Sequence, residues 1–153
     1  MAKKHKLRYE TLLRVRQRQE ELKAMAFAEV KREIQIAEMQ REEILNQQRQ
    51  MLEEAKSRVG GAFRVDDVRG YYQYERHLAR LAVEKDARIV ELKDVAEKRR
   101  QELEEALKAR RMIEKISERE MTAFRTSVGK KEQAALDESA SNQAAMSRTG
   151  DKP

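Results

Sequence analysis

The sequence predicts an all-α fold, a long antiparallel two-helix coiled-coil hairpin. Three observations carry that expectation. Charged residues make up 41% of the 153, aromatics 5%, tryptophan is absent and the sole proline is Pro153, so the chain can fill only a narrow seam between long helices. Apolar residues recur at steps of three and four on both sides of the middle, the spacing of one helix face. At that middle stand two adjacent glycines, Gly60 and Gly61, which lack a Cβ, end a helix cheaply and permit a reversal of direction.

Residues 1–6 form a basic lead-in. Helix 1 is expected over 7–58, with a seam through Leu12, Val15, Gln19, Leu22, Ala26, Val30, Ile34, Ala37, Arg41, Ile44, Gln48, Met51 and Ala55. Its four-residue steps between Leu22 and Ile34 depart locally from the heptad. Residues 59–66 are the turn. Helix 2 is expected over 67–126, with Asp66 or Asp67 as N-cap because a short carboxylate accepts the free N–H groups of a first turn. Its seam runs through Val68, Tyr71, Tyr74, Leu78, Leu81, Lys85, Ile89, Leu92, Ala96, Arg99, Leu103, Ala106, Arg110 and Ile113, with Ile116 beside it, and Gly70 leaves its first turns weak. The two helices each pair over about 75 Å at 1.5 Å per residue. Leu12 is then expected near Ile113, Leu22 near Leu103 and Ile44 near Leu81. Residues 127–153, rich in small side chains and with no stripe wide enough to pack, are expected to be a flexible tail.

The same residues narrow the functional classes. There is no cysteine, so disulfides and thiolate metal sites are excluded. The longest apolar run, Ala24 to Ala28, is far below the roughly 20 residues of a membrane span, which points to a cytoplasmic protein that reaches a membrane only through partners. His5 and His77 would sit at opposite ends of the hairpin, and pairs such as Glu42-Glu43 and Glu104-Glu105 diverge by about 100° on a helix. The glycine pair has neither a strand before it nor Lys-Ser/Thr after it, so it is no phosphate loop. No catalytic, cofactor-binding or metal-binding residue is therefore expected, and the chain is read as a non-enzyme.

Charge is localised. Residues 1–18 hold seven basic side chains against the single acid Glu10, and the remainder balances 27 basic against 27 acidic groups. Folding the hairpin sets Arg8, Arg14 and Arg16 beside Arg110, Arg111 and Arg119, a basic end suited to an acidic or pore-like protein surface. Nucleic acid is the weaker alternative, because only Tyr9 is nearby to stack on bases and no DNA-reading motif follows; a merely solvated end is the other. Past the turn, Tyr71, Tyr72 and Tyr74 crowd into four residues. Tyr71 and Tyr74 share a face and Tyr72 points elsewhere, so the cluster either broadens the seam or exposes a partner-binding patch.

Three stretches resemble the FliJ family of flagellar type III protein export: Lys6-Leu7-Arg8-Tyr9-Glu10-Thr11-Leu12-Leu13-Arg14-Val15-Arg16; Tyr71-Tyr72-Gln73-Tyr74 with Leu78 after it; and Glu114-Lys115-Ile116-Ser117-Glu118-Arg119 followed by Glu132-Gln133-Ala134-Ala135-Leu136-Asp137-Glu138. The resemblance implies a hairpin like the central stalk of rotary ATPases. It implies that the end bearing both termini, with Arg8, Arg14, Arg16, Arg110, Arg111 and Arg119, enters the hexameric flagellar export ATPase and promotes its assembly and activity. It also implies a second surface, on Tyr74, Leu78, Leu81 and Lys85, for the cytoplasmic domain of the membrane export gate, together with a role toward export chaperones at the inner membrane of the flagellar base. Leu81 is bulkier than the family residue there and Lys85 replaces a histidine found in some relatives. The seam claims these four positions too. The alternatives are the equivalent stalk of a virulence type III secretion system and a free coiled-coil export chaperone or adaptor.

Overall fold

The computed structural model describes residues 2–58 and 64–150, residues 2–7 as backbone only. The chain forms two helices, α1 (Ala2–Arg58) and α2 (Val65–Thr149), which pack antiparallel as a coiled-coil-like hairpin. The Gly60-Gly61 turn lies outside the described residues. Two compact units divide the chain, one of Arg18–Leu107 and one of Met1–Gln17 with Lys108–Pro153.

In the Arg18–Leu107 unit the core is a single file of apolar side chains. Ala37, Ile44, Leu78, Ile89 and Leu92 are buried, and Ile34 packs against the cluster of Ala37, Ile89 and Leu92. Leu78, at 2% exposure, is the deepest. The file is narrow because charged side chains predominate on the remaining faces of both helices, and polar pairs close its edges. Lys23 Nζ lies 3.2 Å from Glu102 Oε2, Lys85 Nζ donates to Gln40 Oε1 at 2.6 Å, and Arg41 pairs with Asp86. Lys23 with Glu102 is the register expected for Leu22 beside Leu103.

The seam of α1 follows its expected course from Val30 to Ala55, every position of it half-buried or buried. Before Val30 it differs. Leu22 is 49% exposed; Ala26 is half-buried as expected, but so are Glu20, Lys23, Ala24 and Phe27. Glu20, Lys23 and Phe27 continue the alternation of three- and four-residue steps beside the expected four-residue path, of which Ala26 is half-buried and Leu22 exposed. Phe27 supplies bulk, and the methylene stem of Lys23 lines the seam while its ammonium reaches Glu102. Met25, Ile36 and Met39 are left on the outer surface. On α2 the expected seam holds from Leu78 through Leu103, whereas Val68 and Tyr74 are exposed.

The other unit contains none of the buried residues found among those described. Its half-buried positions mix Leu13 and Ile113 with Tyr9, Arg16, Arg110 and Glu120. Leu12 and Val15, expected in the seam, are exposed, and Ser117 rather than Ile116 continues the pattern of α2.

Two further differences concern the ends of α2. Its first turn is closed by the Arg64 carbonyl, which accepts from Asp67 N–H at 3.1 Å and Val68 N–H at 3.3 Å, so Arg64 occupies the cap position expected of Asp66 or Asp67. Both aspartates lie inside the first turn, where their charge still complements the positive end of the helix. At the other end α2 passes residue 126 and runs to Thr149. Every residue from Gly129 to Gly150 is exposed, so this length rests on local propensity, with alanines at 134, 135, 140, 144 and 145 and a Gln133–Asp137 hydrogen bond of 3.2 Å.

Candidate functional site

The six arginines of the expected basic surface all belong to the unit of residues 1–17 and 108–153. They are not equivalent. Arg8, Arg14, Arg111 and Arg119 are exposed. Arg16 is half-buried and already engaged, and Arg110 is half-buried with Nη1 2.6 Å from Glu114 Oε1, one helical turn on. A guanidinium held by a carboxylate this closely offers little net field to a partner, so four of the six carry the exposed charge.

Tyr9 anchors this unit. Its hydroxyl hydrogen-bonds the Glu120 carboxylate of α2, and that bond, reinforced by partial burial, holds the phenol above its ordinary pKa. Sequence reading treated Tyr9 only as a possible stacking residue. The signal that could have found the contact is spacing: Tyr9 stands seven residues before Arg16 and Glu120 seven after Ile113, both on the continuing heptads.

The second expected surface is divided by the fold. Tyr74 is 46% exposed, Leu81 and Lys85 are half-buried, and Leu78 points into the seam. Lys85 is further occupied by its bond to Gln40. Of the four, only Tyr74 is exposed. Leu78 sits one turn later and supports that turn from inside.

Around the start of α2 lies a groove of about 560 Å3 that the sequence did not disclose, lined from α1 by Leu45, Met51, Leu52 and Ala55 and from α2 by Val68, Tyr71 and Tyr72. The rings are held by cations: Arg58 of α1 stands 6.0 Å from the Tyr71 centroid and Arg76 5.4 Å from that of Tyr72. Tyr72 is exposed and lines the same groove as Tyr71, although the sequence spacing groups Tyr71 with Tyr74.

The outer faces are laced with charge pairs. Hydrogen bonds from Lys23 and then Arg99 hold the Glu102 carboxyl below the usual range, and Arg100 does the same for Glu97. The Glu97 bond in turn raises Arg100. Among the described residues no group of three or more His, Cys, Asp or Glu is placed to hold a metal ion, and no helix is long and apolar enough to cross a membrane.

No curated protein and no solved structure matches the chain. The family model for the flagellar FliJ protein does, over residues 5–149. Because that match runs from the first turns of α1 to the last residue of α2, the chain belongs to the FliJ family, whose members are non-enzymatic components of flagellar type III export.

Proposed function

We propose that this protein is the central stalk of a flagellar export ATPase. The basic end inserts into the hexameric ring, promotes its assembly and activity, and couples it to the cytoplasmic domain of the export gate and to export chaperones, peripherally at the inner membrane. The observation that carries the reading is the exposed set Arg8, Arg14, Arg111 and Arg119 in a unit with no buried apolar residue among those described, on a chain matched to this family over nearly its whole length. Exposed guanidinium groups on a slim helical pair suit contact with acidic loops inside a ring, because Arg reads carboxylates bidentately and stays charged at any working pH.

Gate binding falls on Tyr74 with Leu81 and Lys85 beside it, and Leu78 contributes by fixing the turn that presents Tyr74. Sizing the chain with its cognate ATPase and nucleotide tests the proposal. A stalk yields a hexameric ring carrying one copy; an ATPase that elutes unchanged, without the chain, contradicts it.

A further inference from the structure

We infer that the groove between the end of α1 and the start of α2 is a docking site for an amphipathic helix of about three turns whose apolar face is flanked by acidic side chains. Leu52 is 56% and Tyr72 60% exposed, and with Leu45, Met51, Ala55 and Val68 they make a mostly apolar trough of about 560 Å3. That volume is within the range of sites that take specific ligands. Here both helices of the hairpin supply the walls, as in helix-in-groove recognition.

The occupant is a helix on backbone grounds. Two helices satisfy their own N–H and C=O groups and offer no open strand edge, so an extended segment laid on these apolar side chains would lose water from its backbone without gaining partners. A helix arrives with those groups already paired. The α1 wall, from Leu45 to Ala55, spans about 15 Å at 1.5 Å per residue, which sets the length near three turns.

Charge selects the flanks. Arg69 and Arg76 line the adjoining depression that shares Val68 and Tyr72, Arg49 stands in the groove wall with Glu42 3.8 Å from it, and Glu75 is the sole acid among the described residues lining either. Arg58 adds its charge over Tyr71. Because the arginines also hold the tyrosine rings in place, the apolar floor is ordered before binding, which lowers the entropy cost of capture. This site is separate from the arginines assigned to the ATPase, so either assignment can fail without the other.

The test is fluorescence anisotropy with the full chain and three labelled twelve-residue helical peptides: leucines on one face with glutamate flanks, the same face with lysine flanks, and a scramble of the first. The glutamate-flanked peptide is expected to bind at least tenfold tighter than either of the others. Leu52→Asp should weaken it at least tenfold, and Arg76→Glu should reverse the preference between glutamate and lysine flanks. Circular dichroism checks that each variant keeps its helix content; should Leu52→Asp lose it, the Arg76→Glu reversal decides. Equal binding of the scramble, no binding of any peptide, or an unchanged flank preference in Arg76→Glu overturns the inference. So does concentration-dependent dimerisation of the free chain that Leu52→Asp abolishes, since the groove would then belong to a second copy.

Discussion

The two units solve the same packing problem with different chemistry. In residues 18–107 the helices are joined by buried Ala37, Ile44, Leu78, Ile89 and Leu92, with the half-buried charged residues Lys23, Arg41, Lys85 and Arg99 between and beside them. In residues 1–17 with 108–153 the seam itself is polar, with Tyr9 on Glu120 and half-buried Arg16 and Arg110. Apolar burial is non-directional and strong per residue, whereas exposed or half-exposed polar contacts each contribute little net stability. The first unit is therefore the more stable of the two, and the second can open at small cost.

Breaking the apolar seam should have the largest effect. Leu78→Ala removes the most deeply buried side chain and should destabilise the fold by about 2–4 kcal/mol in chemical denaturation. A change below about 1 kcal/mol would mean that Leu78 is not where the stability resides. Gate binding should weaken in the same variant through disorder of the Tyr74 turn, while Tyr74→Ala weakens it with little change in stability.

Next in size is a gain. Gly70 and Gly129 stand within α2, and an added Cβ at either meets nothing within 4 Å. Alanine at each should raise stability by up to about 1 kcal/mol, with Gly129→Ala showing its effect mainly as slower amide exchange in the exposed extension.

A subtler contrast follows from Tyr9. Tyr9→Phe keeps the ring and deletes the bond to Glu120, so amide exchange should quicken across the first turns of α1 and around Glu120, with residues 30–55 unchanged. Uniform quickening would show that the two units are not energetically distinct.

The smallest effects are those of pH, and their signs are opposite. Glu102 and Glu97 titrate lower in the folded chain than unfolded, so their pairs stabilise above the unfolded carboxylate range near 4.3 and are lost as pH falls through the lowered values. Tyr9 titrates higher when folded; its contribution is complete below the unfolded phenol value of about 10 and is lost as pH rises through the raised one. Thermal melts should thus be flat from about pH 5 to 9 and decline on either side.

Most of the fold was legible in the sequence because a coiled coil repeats one physical rule along its length. Val30 to Ala55 and Leu78 to Leu103 could be placed from spacing alone. The rule failed where two stripes lay side by side. Leu12, Val15 and Leu22 form a more apolar line than Leu13, Arg16 and Lys23, one residue on, yet the second line is the one continuous with the heptads that follow and the one whose long stems reach partners on α2. The extent of α2 beyond 126 is not legible for a related reason: hydrophobic spacing signals packing, and this segment stands on propensity without packing. Of the candidate surfaces, the exposed arginines were legible as charge. The division of Tyr74, Leu78, Leu81 and Lys85 was not, because residues at seam spacing give no sign of which one the opposing helix covers. The groove needs both helices and could not be read from either.

The central claim, that the exposed arginines engage an export ATPase, is tested most directly by the ATPase rate in the presence of the chain. The wild-type chain should stimulate the enzyme, and a triple variant, Arg14→Glu, Arg111→Glu and Arg119→Glu, with helix content intact, should not. Undiminished stimulation by that variant would contradict the account.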